Sequence, residues 1–328
     1  MDMRDCAANK RITVIGPAII DVLAFPVSLL NMRAGSQPME DIKLSYGGDA
    51  LNEAVVLSRL GADVELLSKI GQDQSGTYVL DFLEREGVSC AGIKRDEKTP
   101  TSVNIVLVDE NGERFFLTNP RGSMRKLAEE DIAAAIDTAA DIVSFAGIFI
   151  SPMLDTDSME RIFRRLKEKP GRILAADMTK PKNGERLKDL EKLLGYVDFF
   201  LPNEGEIAML TGEGDTRRNA QYLVDAGVGC VVIKCGKKGC IIKTKDKCTE
   251  IPAFPAAKVV DSTGAGDSFA AGFLYGLSRG FSVEQCGIFG NAVASCTVEA
   301  LGATDGVRSV EEPLERYKRL AEISKNVS

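Results

Sequence analysis

The sequence contains no histidine and no tryptophan in its 328 residues. The absence of histidine excludes Ser-His-Asp and Cys-His catalysis and every metal site that uses an imidazole ligand. Any proton transfer must therefore be carried out by Asp, Glu, Lys, Tyr or Cys. Basic residues (41) are also fewer than acidic residues (48), which gives a formal net charge of −7. This balance argues against nucleic acid or an acidic membrane as the partner.

Long apolar segments are missing as well. Residues 12–20 are apolar and follow Lys10-Arg11, as in a signal peptide, but Asp21 interrupts the segment and it is too short to span a bilayer. We interpret it as a buried first strand and predict a cytoplasmic protein. The eight cysteines are irregularly spaced and include no Cys-x-x-Cys pair, which predicts reduced, buried thiols rather than a zinc site.

The remaining composition is typical of a globular α/β protein. Hydrophobic residues make up 44% of the chain and charged residues 27%. We find no internal repeat or linker and predict a single domain over residues 1–328. Strand-like and helix-like segments alternate from about residue 127, which predicts a doubly wound, mainly parallel sheet. The predicted strands are 11–16, 62–67, 141–146, 172–176 and 197–201, and the predicted helices are 127–139, 157–169, 185–194 and 216–226.

A second, smaller sheet is predicted from three other segments. Residues 101–108 and 113–119 are rich in β-forming residues, and the connection between them contains Asn111-Gly112, which favours a hairpin. Residues 41–46 alternate polar and apolar side chains, as a strand with one solvated face does. These segments predict a small sheet separate from the main one.

Residues 261–269, with the sequence DSTGAGDSF, open an amphipathic helix through a glycine-containing turn. The first amide groups of a helix have no internal partner and carry partial positive charge, so this turn predicts an anion site. Asp267 would repel a phosphate here unless its carboxylate accepts a proton, which predicts a base for phosphoryl transfer to a hydroxyl. A helix cap alone would also place Gly and Asp at these positions.

Residues 47–52, with the sequence GGDALN, form a second glycine-rich turn before a helix. Asp49 accepts hydrogen bonds and Asn52 both donates and accepts them, so the turn could hold a hydroxylated ligand. A simple strand–helix connection is the alternative. Asp21 follows the first predicted strand, at the edge where open α/β sheets bind ligands, although an acid there could equally cap a turn.

These segments together resemble the ribokinase-like (PfkB) family of sugar and nucleoside kinases. The resemblance rests on DSTGAGDSF with Ala271-Gly272-Phe273 after it, and on Gly-Gly-x-x-x-Asn, Leu-Gly-Ala and Ile-Gly-x-Asp-x-x-Gly between residues 47 and 76. It extends over about residues 11–310. It implies the ribokinase-like fold, a small β-sheet lid made of segments about 17–48 and 98–122, and a homodimer formed through that lid.

The resemblance also implies roles for individual residues. Asp267 would be the base, and the backbone of Gly264, Ala265 and Gly266 would bind the transferred phosphoryl group. Five residues would bind the acceptor: Asp21, Gly47, Gly48, Asp49 and Asn52. Five would bind the nucleotide: Asn203, Lys234, Gly236, Gly239 and Asn291.

Metal ions are implied in the same way. Glu206, three residues after Asn203, would help to place magnesium, although a helix-capping box has the same spacing. Asp261 would be a ligand for a monovalent cation such as potassium. Asp177 and Lys180 follow a predicted strand and could contact phosphate.

The resemblance implies ATP-dependent phosphorylation of a primary hydroxyl on a sugar or sugar-like acceptor of the ribose, fructose or 2-keto-3-deoxygluconate type. Asp49 occupies the position of a lysine common in ribokinases, and Gly-Gly-Asp-x-Leu-Asn is closer to 2-keto-3-deoxygluconate kinases. An acidic sugar would then need a cation, such as Arg121 or Arg125, to offset Asp49. A nucleoside kinase and a non-catalytic nucleotide- or sugar-binding regulator stay open as alternatives.

Overall fold

The computed structural model describes residues 10–28, 36, 38–110 and 114–327. In this part of the chain the strands form two sheets, one of nine strands and one of four. The strands are β1 (Ile12–Ile15), β2 (Ile19–Phe25), β3 (Asp41–Gly47), β4 (Val64–Gly71), β5 (Ile93–Asp96), β6 (Val103–Val108), β7 (Arg114–Thr118), β8 (Ile142–Ile148), β9 (Ile173–Met178), β10 (Phe199–Phe200), β11 (Cys230–Lys234), β12 (Cys240–Lys243) and β13 (Cys248–Ile251). The α-helices are α1 (Asp49–Arg59), α2 (Gln74–Arg85), α3 (Glu129–Ile136), α4 (Thr156–Lys167), α5 (Leu187–Leu194), α6 (Glu204–Thr211), α7 (Thr216–Asp225), α8 (Ala265–Ser278), α9 (Val283–Thr297) and α10 (Glu311–Val327).

The large sheet has the strand order β13-β12-β11-β10-β9-β8-β1-β4-β5. All neighbours from β11 to β5 are parallel, and β12 and β13 add an antiparallel edge. Every residue of β1 and β8 is buried, as expected for parallel strands covered on both faces. The predicted doubly wound, mainly parallel architecture is confirmed.

Two apolar cores cover the two faces of this sheet. One core contains side chains from α1, α2, α8, α9 and α10, including Phe273 and Phe289. The other contains side chains from α3 to α7, including Phe163 and Leu190. Because parallel strands all end at the same edge, the carboxyl ends of β1, β8, β9, β10 and β11 lie side by side, where open α/β sheets bind their ligands.

The small sheet has the strand order β3-β2-β6-β7. The predicted pairing of residues 101–108 with 113–119 is confirmed, because β6 and β7 are antiparallel; the Asn111-Gly112 turn and part of the predicted segment 17–48 lie outside the described residues. The prediction of three strands was incomplete, since residues 19–25 form a fourth. Asp21 therefore lies inside strand β2 and does not follow the end of β1 directly.

The two faces of the small sheet differ in character because side chains alternate along each strand. One row across the sheet consists of Ser45, Asp21, Asn104 and Thr118. The adjacent row, on the opposite face, consists of Leu44, Val22, Ile105 and Leu117. One face is therefore polar around Asp21, and the other presents apolar side chains.

Asp73 shows how the sequence Ile-Gly-x-Asp-x-x-Gly connects the two sheets. Its carboxylate caps α2 by accepting a hydrogen bond from the Gly76 amide at 2.8 Å. The same carboxylate accepts hydrogen bonds from the amide and the hydroxyl of Thr101, at 2.9 and 2.7 Å. The cap therefore also holds the segment that leads into β6.

The prediction of buried cysteines holds in part and is wrong for Cys248, which is exposed because it lies in the edge strand β13, while Cys90 is half-buried. All of the thiols in the described residues are free, and Cys230, Cys235, Cys240, Cys286 and Cys296 are buried. Of the helices in the described ranges, none combines the length and the apolar character that crossing a bilayer requires. The cytoplasmic location stays a prediction.

Candidate active site

The start of α8 has the geometry of an anion-binding turn. Gly264 is its N-cap residue and has φ of 72°, in the left-handed region that favours glycine. A Cβ atom on Gly264 would overlap the carbonyl group of Ala303. The turn thus requires glycine both for its backbone angle and for close packing. In the first helical turn the Ala265 amide donates a hydrogen bond of 3.3 Å to the Ser262 carbonyl oxygen. Anion binding by the amides of this turn stays a prediction.

Asp267 lies in this first turn, and its carboxylate is largely desolvated. The side-chain amide of Asn52 donates a hydrogen bond of 2.7 Å to Asp267 Oδ2. Burial raises the pKa of Asp267 well above its ordinary value, and the nearby charge of Asp49 raises it further, whereas the Asn52 amide lowers it. The structure thus brings together the two glycine-rich turns that lie 215 residues apart in sequence.

Carboxylates gather around a single, largely buried lysine at this edge of the sheet. Lys234, the last residue of β11, forms an ion pair with Asp177 near the end of β9. Burial and the charge of Asp177 raise the pKa of Asp49 to about 6 and the pKa of Glu206 to about 7. Acidic groups exceed basic ones here, so the cluster attracts cations and polar ligands.

Glu53 belongs to this cluster, although the sequence analysis did not select it. It lies one residue after Asn52 on α1, is completely buried, and accepts a hydrogen bond of 2.7 Å from Ser144 Oγ on β8. Its Oε1 atom has no hydrogen-bond partner among the described residues. Burial raises the pKa of Glu53 well above its ordinary value. A glutamate four residues after Asp49 on one face of a helix was the signal available in the sequence.

The acceptor-binding residues of the prediction also converge. A Cβ atom on Gly47 would overlap the carboxylate of Asp21, so glycine permits the two segments to approach. Gly48 has φ of 96° and is the N-cap residue of α1. Asp21 accepts a hydrogen bond of 3.0 Å from the side-chain amide of Asn104 in β6. Asn104 is buried beside the predicted acceptor residues, and sequence reasoning did not select it.

The predicted nucleotide-binding residues lie toward the other end of the cluster. Asn203 caps α6, and a reciprocal capping box joins it to Glu206 through hydrogen bonds of 2.9 and 3.0 Å. The helix-capping alternative is therefore realised, while the metal role of Glu206 stays a prediction. The backbone of Asn203 pairs with that of Lys234 in an isolated parallel β-bridge. The Lys234 ammonium group is close to the start of α8, because it lies 3.4 Å from where a Cβ atom on Gly266 would be.

Gly236 and Gly239 shape the turn between β11 and β12. Both have positive φ, at 54° and 99°, and a Cβ atom on Gly236 would meet no described atom within 4 Å. Asn291 is buried on α9, and its side-chain amide donates a hydrogen bond of 3.1 Å to the Pro252 carbonyl. Its role in binding the nucleotide stays a prediction.

Asp261 precedes the anion turn and already has three donors. Its carboxylate accepts hydrogen bonds of 2.9 Å from the amides of Thr263 and Gly302, and Arg114 pairs with it at 2.5 Å. Burial raises the pKa of Asp261, but these interactions outweigh it, so the pKa is lowered overall. The monovalent cation at Asp261 stays a prediction.

The basic residues suggested as contacts for phosphate or for an acidic sugar differ in their exposure to solvent. Lys180 and Arg121 are exposed, whereas Arg125 is half-buried beside the loops that follow β8 and β9. Among the described residues, no three Asp, Glu or Cys side chains converge closely enough to hold a metal ion by themselves. Magnesium commonly takes one or two carboxylates together with substrate phosphates, and Asp177 and Glu206 fit that ligand set.

Comparison with known proteins agrees with this geometry. The model of the family described as "pfkB family carbohydrate kinase" matches residues 9–309. The chain belongs to this family of carbohydrate kinases. It is 37% identical over 258 residues to an uncharacterized sugar kinase of Archaeoglobus fulgidus, and the match covers 78% of this chain and 99% of that relative.

Other relatives of this PfkB family kinase have more specific names. A 2-dehydro-3-deoxygluconokinase of Haemophilus influenzae is 27% identical over 310 residues, covering 90% of this chain and 95% of that protein. A ribokinase structure from Thermotoga maritima has a TM-score of 0.80 at 26% identity, with 94% of this chain and 99% of that one covered. These findings confirm the ribokinase-like fold and an ATP-dependent sugar or nucleoside kinase.

Proposed function

We propose that this PfkB family kinase transfers the γ-phosphoryl group of ATP to a primary hydroxyl of a sugar or sugar-like acceptor, with Asp267 as the base. The observation that carries the proposal is the position of Asp267. Its desolvated carboxylate lies in the first turn of a glycine-capped helix, beside both the anion turn and Asn52. A regulator without catalysis would have no use for a base at this point.

The reaction needs no covalent enzyme intermediate. As the acceptor oxygen forms its bond to the γ-phosphorus, the bond from phosphorus to the leaving oxygen of ADP breaks, and the hydroxyl proton passes to Asp267. Negative charge on the transferring group increases during this step. The amides of Gly264, Ala265 and Gly266 would stabilise that charge through hydrogen bonds and the helix dipole.

Nucleotide and magnesium would bind at the Lys234 side of the cluster. Lys234 is a cation next to the anion turn. Gly236 follows it, and the space around the Gly236 Cα atom is free of described atoms within 4 Å of an added Cβ, which leaves room for a nucleotide. Asp177 and Glu206 would hold magnesium together with the phosphates, and the ion would neutralise charge on the β and γ oxygens. Potassium at Asp261 would require ligands beyond the carboxylate, because Arg114 and two amides already contact it.

The acceptor would bind between α1 and the polar face of the small sheet. Asp21, Gly48, Asp49 and Asn52 line this region, and Asn104 extends it. We infer that the small sheet acts as a lid within a single kinase domain, which would position the acceptor and exclude water. Ribose, fructose and 2-keto-3-deoxygluconate types are the leading acceptors, and a nucleoside is the alternative because some relatives are nucleoside kinases.

The test is ADP production from magnesium-ATP across a panel of neutral sugars, sugar acids and nucleosides. We expect ADP formation that depends on the acceptor and identifies its class. A rate that is highest with nucleosides would show that the protein is a nucleoside kinase and not a sugar kinase. ATP binding without turnover on any acceptor would favour the regulator.

We also propose that two copies of the chain associate through the small sheet. Its outer face exposes Leu44, Ile105 and Leu117 by 61%, 43% and 53%. With Val22 between Leu44 and Ile105, these residues form one row across the four strands. Apolar rows on a sheet of only four strands are unusual in contact with water. A second copy of the same face would cover them, in agreement with the family resemblance.

A further inference from the structure

Two ion pairs connect the edge strands of the small sheet to the loops around the anion turn. On one edge, Arg114 of β7 pairs with Asp261 at 2.5 Å. On the other edge, Lys43 of β3 pairs with Asp305, in the loop that follows α9, at 3.3 Å. The strand register places both basic residues on the same face as Asp21. The face that covers the acceptor region therefore also contacts the loops at the start of α8.

The Arg114–Asp261 pair is the buried one of the two. The side chains of Arg114 and Asp261 are only 17% and 4% exposed, whereas those of Lys43 and Asp305 are 45% and 50% exposed. A solvated ion pair contributes little to stability, so the Lys43 pair alone would hold the sheet weakly. A buried carboxylate that loses its partner is costly, so the contact between the small sheet and the anion turn depends mainly on Arg114.

Asp261 connects the two segments that contact the anion turn. Its carboxylate accepts hydrogen bonds of 2.9 Å from the amide of Thr263, just before Gly264, and from the amide of Gly302, in the loop after α9. The next residue of that loop, Ala303, is the residue that a Cβ atom on Gly264 would overlap. A carboxylate held in place at this point therefore fixes both segments on which the turn rests.

The protein itself compensates the charge of Asp261. Arg114 Nη2 contacts the Oδ2 atom, which also accepts the hydrogen bond from Gly302, and the Oδ1 atom accepts the hydrogen bond from Thr263. A monovalent cation at Asp261 would have to share these oxygens with a guanidinium of the same charge, which would repel it. While this ion pair is formed, the carboxylate does not fit the monovalent cation that the family resemblance implies.

We propose that Arg114 is a positioning residue for phosphoryl transfer, and that its guanidinium takes the place of a monovalent cation at Asp261. The inference rests on the proposed function, because it concerns the turn that is proposed to bind the transferred phosphoryl group. Since Arg114 belongs to the small sheet, its charge reaches Asp261 only when that sheet covers the site. Closure of the sheet over an acceptor would thus complete the anion turn, and the rate would not depend on added potassium.

The first experiment measures ADP production by Arg114→Ala, with Arg114→Lys and Lys94→Ala beside it. We expect Arg114→Ala to lower kcat about tenfold to a hundredfold, with a smaller change in the KM for ATP, because a charge-assisted hydrogen bond to Asp261 is lost. Arg114→Lys keeps the charge and should recover part of the rate. Lys94→Ala removes an exposed charge on β5, at the edge of the large sheet, and should have no effect. An unchanged kcat in Arg114→Ala, or an equal loss in Lys94→Ala, would contradict the positioning role.

Added cations then test the replacement. Turnover and melting temperature of the wild type and of Arg114→Ala are measured with potassium chloride or guanidinium chloride at millimolar concentration, each against the same concentration of tetramethylammonium chloride. We expect at least one of the two cations to raise the rate of Arg114→Ala severalfold and its melting temperature by a few degrees, and neither to affect the wild type. Stimulation of the wild type by potassium, or no response of Arg114→Ala to either cation, would overturn the proposal.

The melting temperature also separates this inference from the proposed function, because it is read without turnover. A wild type that produces no ADP with any acceptor would refute the proposed function. A cation-dependent rise in the melting temperature of Arg114→Ala alone would still support Arg114 as the cation at Asp261, and its absence would refute that assignment.

Discussion

In the proposed mechanism, Asn52 would act on the reaction through the base as well as through the acceptor. Its amide donates to Asp267 Oδ2 at 2.7 Å and lowers the pKa of a carboxyl whose pKa burial raises. Its own Oδ1 atom is buried and has no partner in the described part of the chain. This oxygen is therefore available to accept a hydrogen bond from an acceptor hydroxyl.

Asn52→Leu should move the pH profile of kcat/KM to higher pH. Asp267 must be ionised to accept a proton, so the rate rises with pH through its pKa. Without the amide donor that pKa rises further, and the ascending limb should shift upward while the fold, monitored by circular dichroism, is unchanged. A profile in the wild-type position would show that the hydrogen bond does not tune the base.

Glu53 makes stability depend on pH. Burial raises its pKa above the ordinary value of 4.5, so the folded chain retains a proton that the unfolded chain releases. The stabilisation from this group is complete below the unfolded pKa and is lost as pH rises through the folded pKa. The unfolding free energy of the wild type should therefore decrease from about pH 4.5 toward neutral pH.

Glu53→Gln removes this titration and keeps the shape of the side chain. We expect the variant to be more stable than the wild type at pH 8 and to lose the advantage near pH 4. Urea unfolding at the two pH values measures it, and the exposed Glu97→Gln controls for the lost charge. A variant that is less stable at pH 8 would contradict a protonated Glu53.

Among the elements, the turn that starts α8 shows how strictly a turn can depend on glycine. Gly264 combines a positive φ with a close approach to Ala303. Gly280, after the same helix, has φ of 75°, and a Cβ atom there would meet no described atom within 4 Å. A comparison of substitutions at the two glycines therefore separates the cost of the backbone angle from the cost of steric overlap.

Gly264→Ala should destabilise the protein more than Gly280→Ala. The Gly280 change costs about 1 kcal/mol for the backbone angle alone. The Gly264 change adds the overlap with Ala303 and displaces the amides that face the phosphoryl group, so turnover should also fall. Thermal unfolding and ADP production measure both effects. Equal destabilisation by the two changes would contradict the packing argument.

Helices whose apolar residues recur with a clear helical period were predictable from sequence, and isolated short strands were not. The helices at 157–169 and 216–226 were found within one or two residues, because their apolar stripes face a core. Strand β5 and strand β13 have few buried residues and gave no clear alternation. Strand β2 was missed as a strand because its apolar sequence continues from β1 across Gly16-Pro17.

The candidate site was predictable wherever a local motif carried its residues. Asp267, Gly264 and Asn52 belong to such motifs, and their proximity follows from two helices that begin at one sheet edge. Glu53 and Asn104 were missed because their roles arise from tertiary packing against β8 and β2. For Glu53 the sequence offers one signal, its position four residues after Asp49 on a predicted helix, and nothing in the sequence distinguishes Asn104 from an exposed asparagine.

At the scale of the whole molecule, the apolar row of the small sheet predicts a dimer. Leu117→Lys should convert it to a monomer in sedimentation experiments, because a charge would be buried without a partner. Tyr222→Lys, an exposed substitution on α7, should leave the mass unchanged. A wild-type protein that stays monomeric at all concentrations would contradict the proposed association.

The most direct test of the central claim is the turnover of Asp267→Asn with the best acceptor of the panel, measured beside its affinity for ATP and acceptor. We predict that turnover falls about a hundredfold to ten-thousandfold while both ligands still bind, because asparagine keeps the shape of the side chain and cannot accept the proton. Near-normal turnover in a folded variant that binds both ligands would contradict Asp267 as the base.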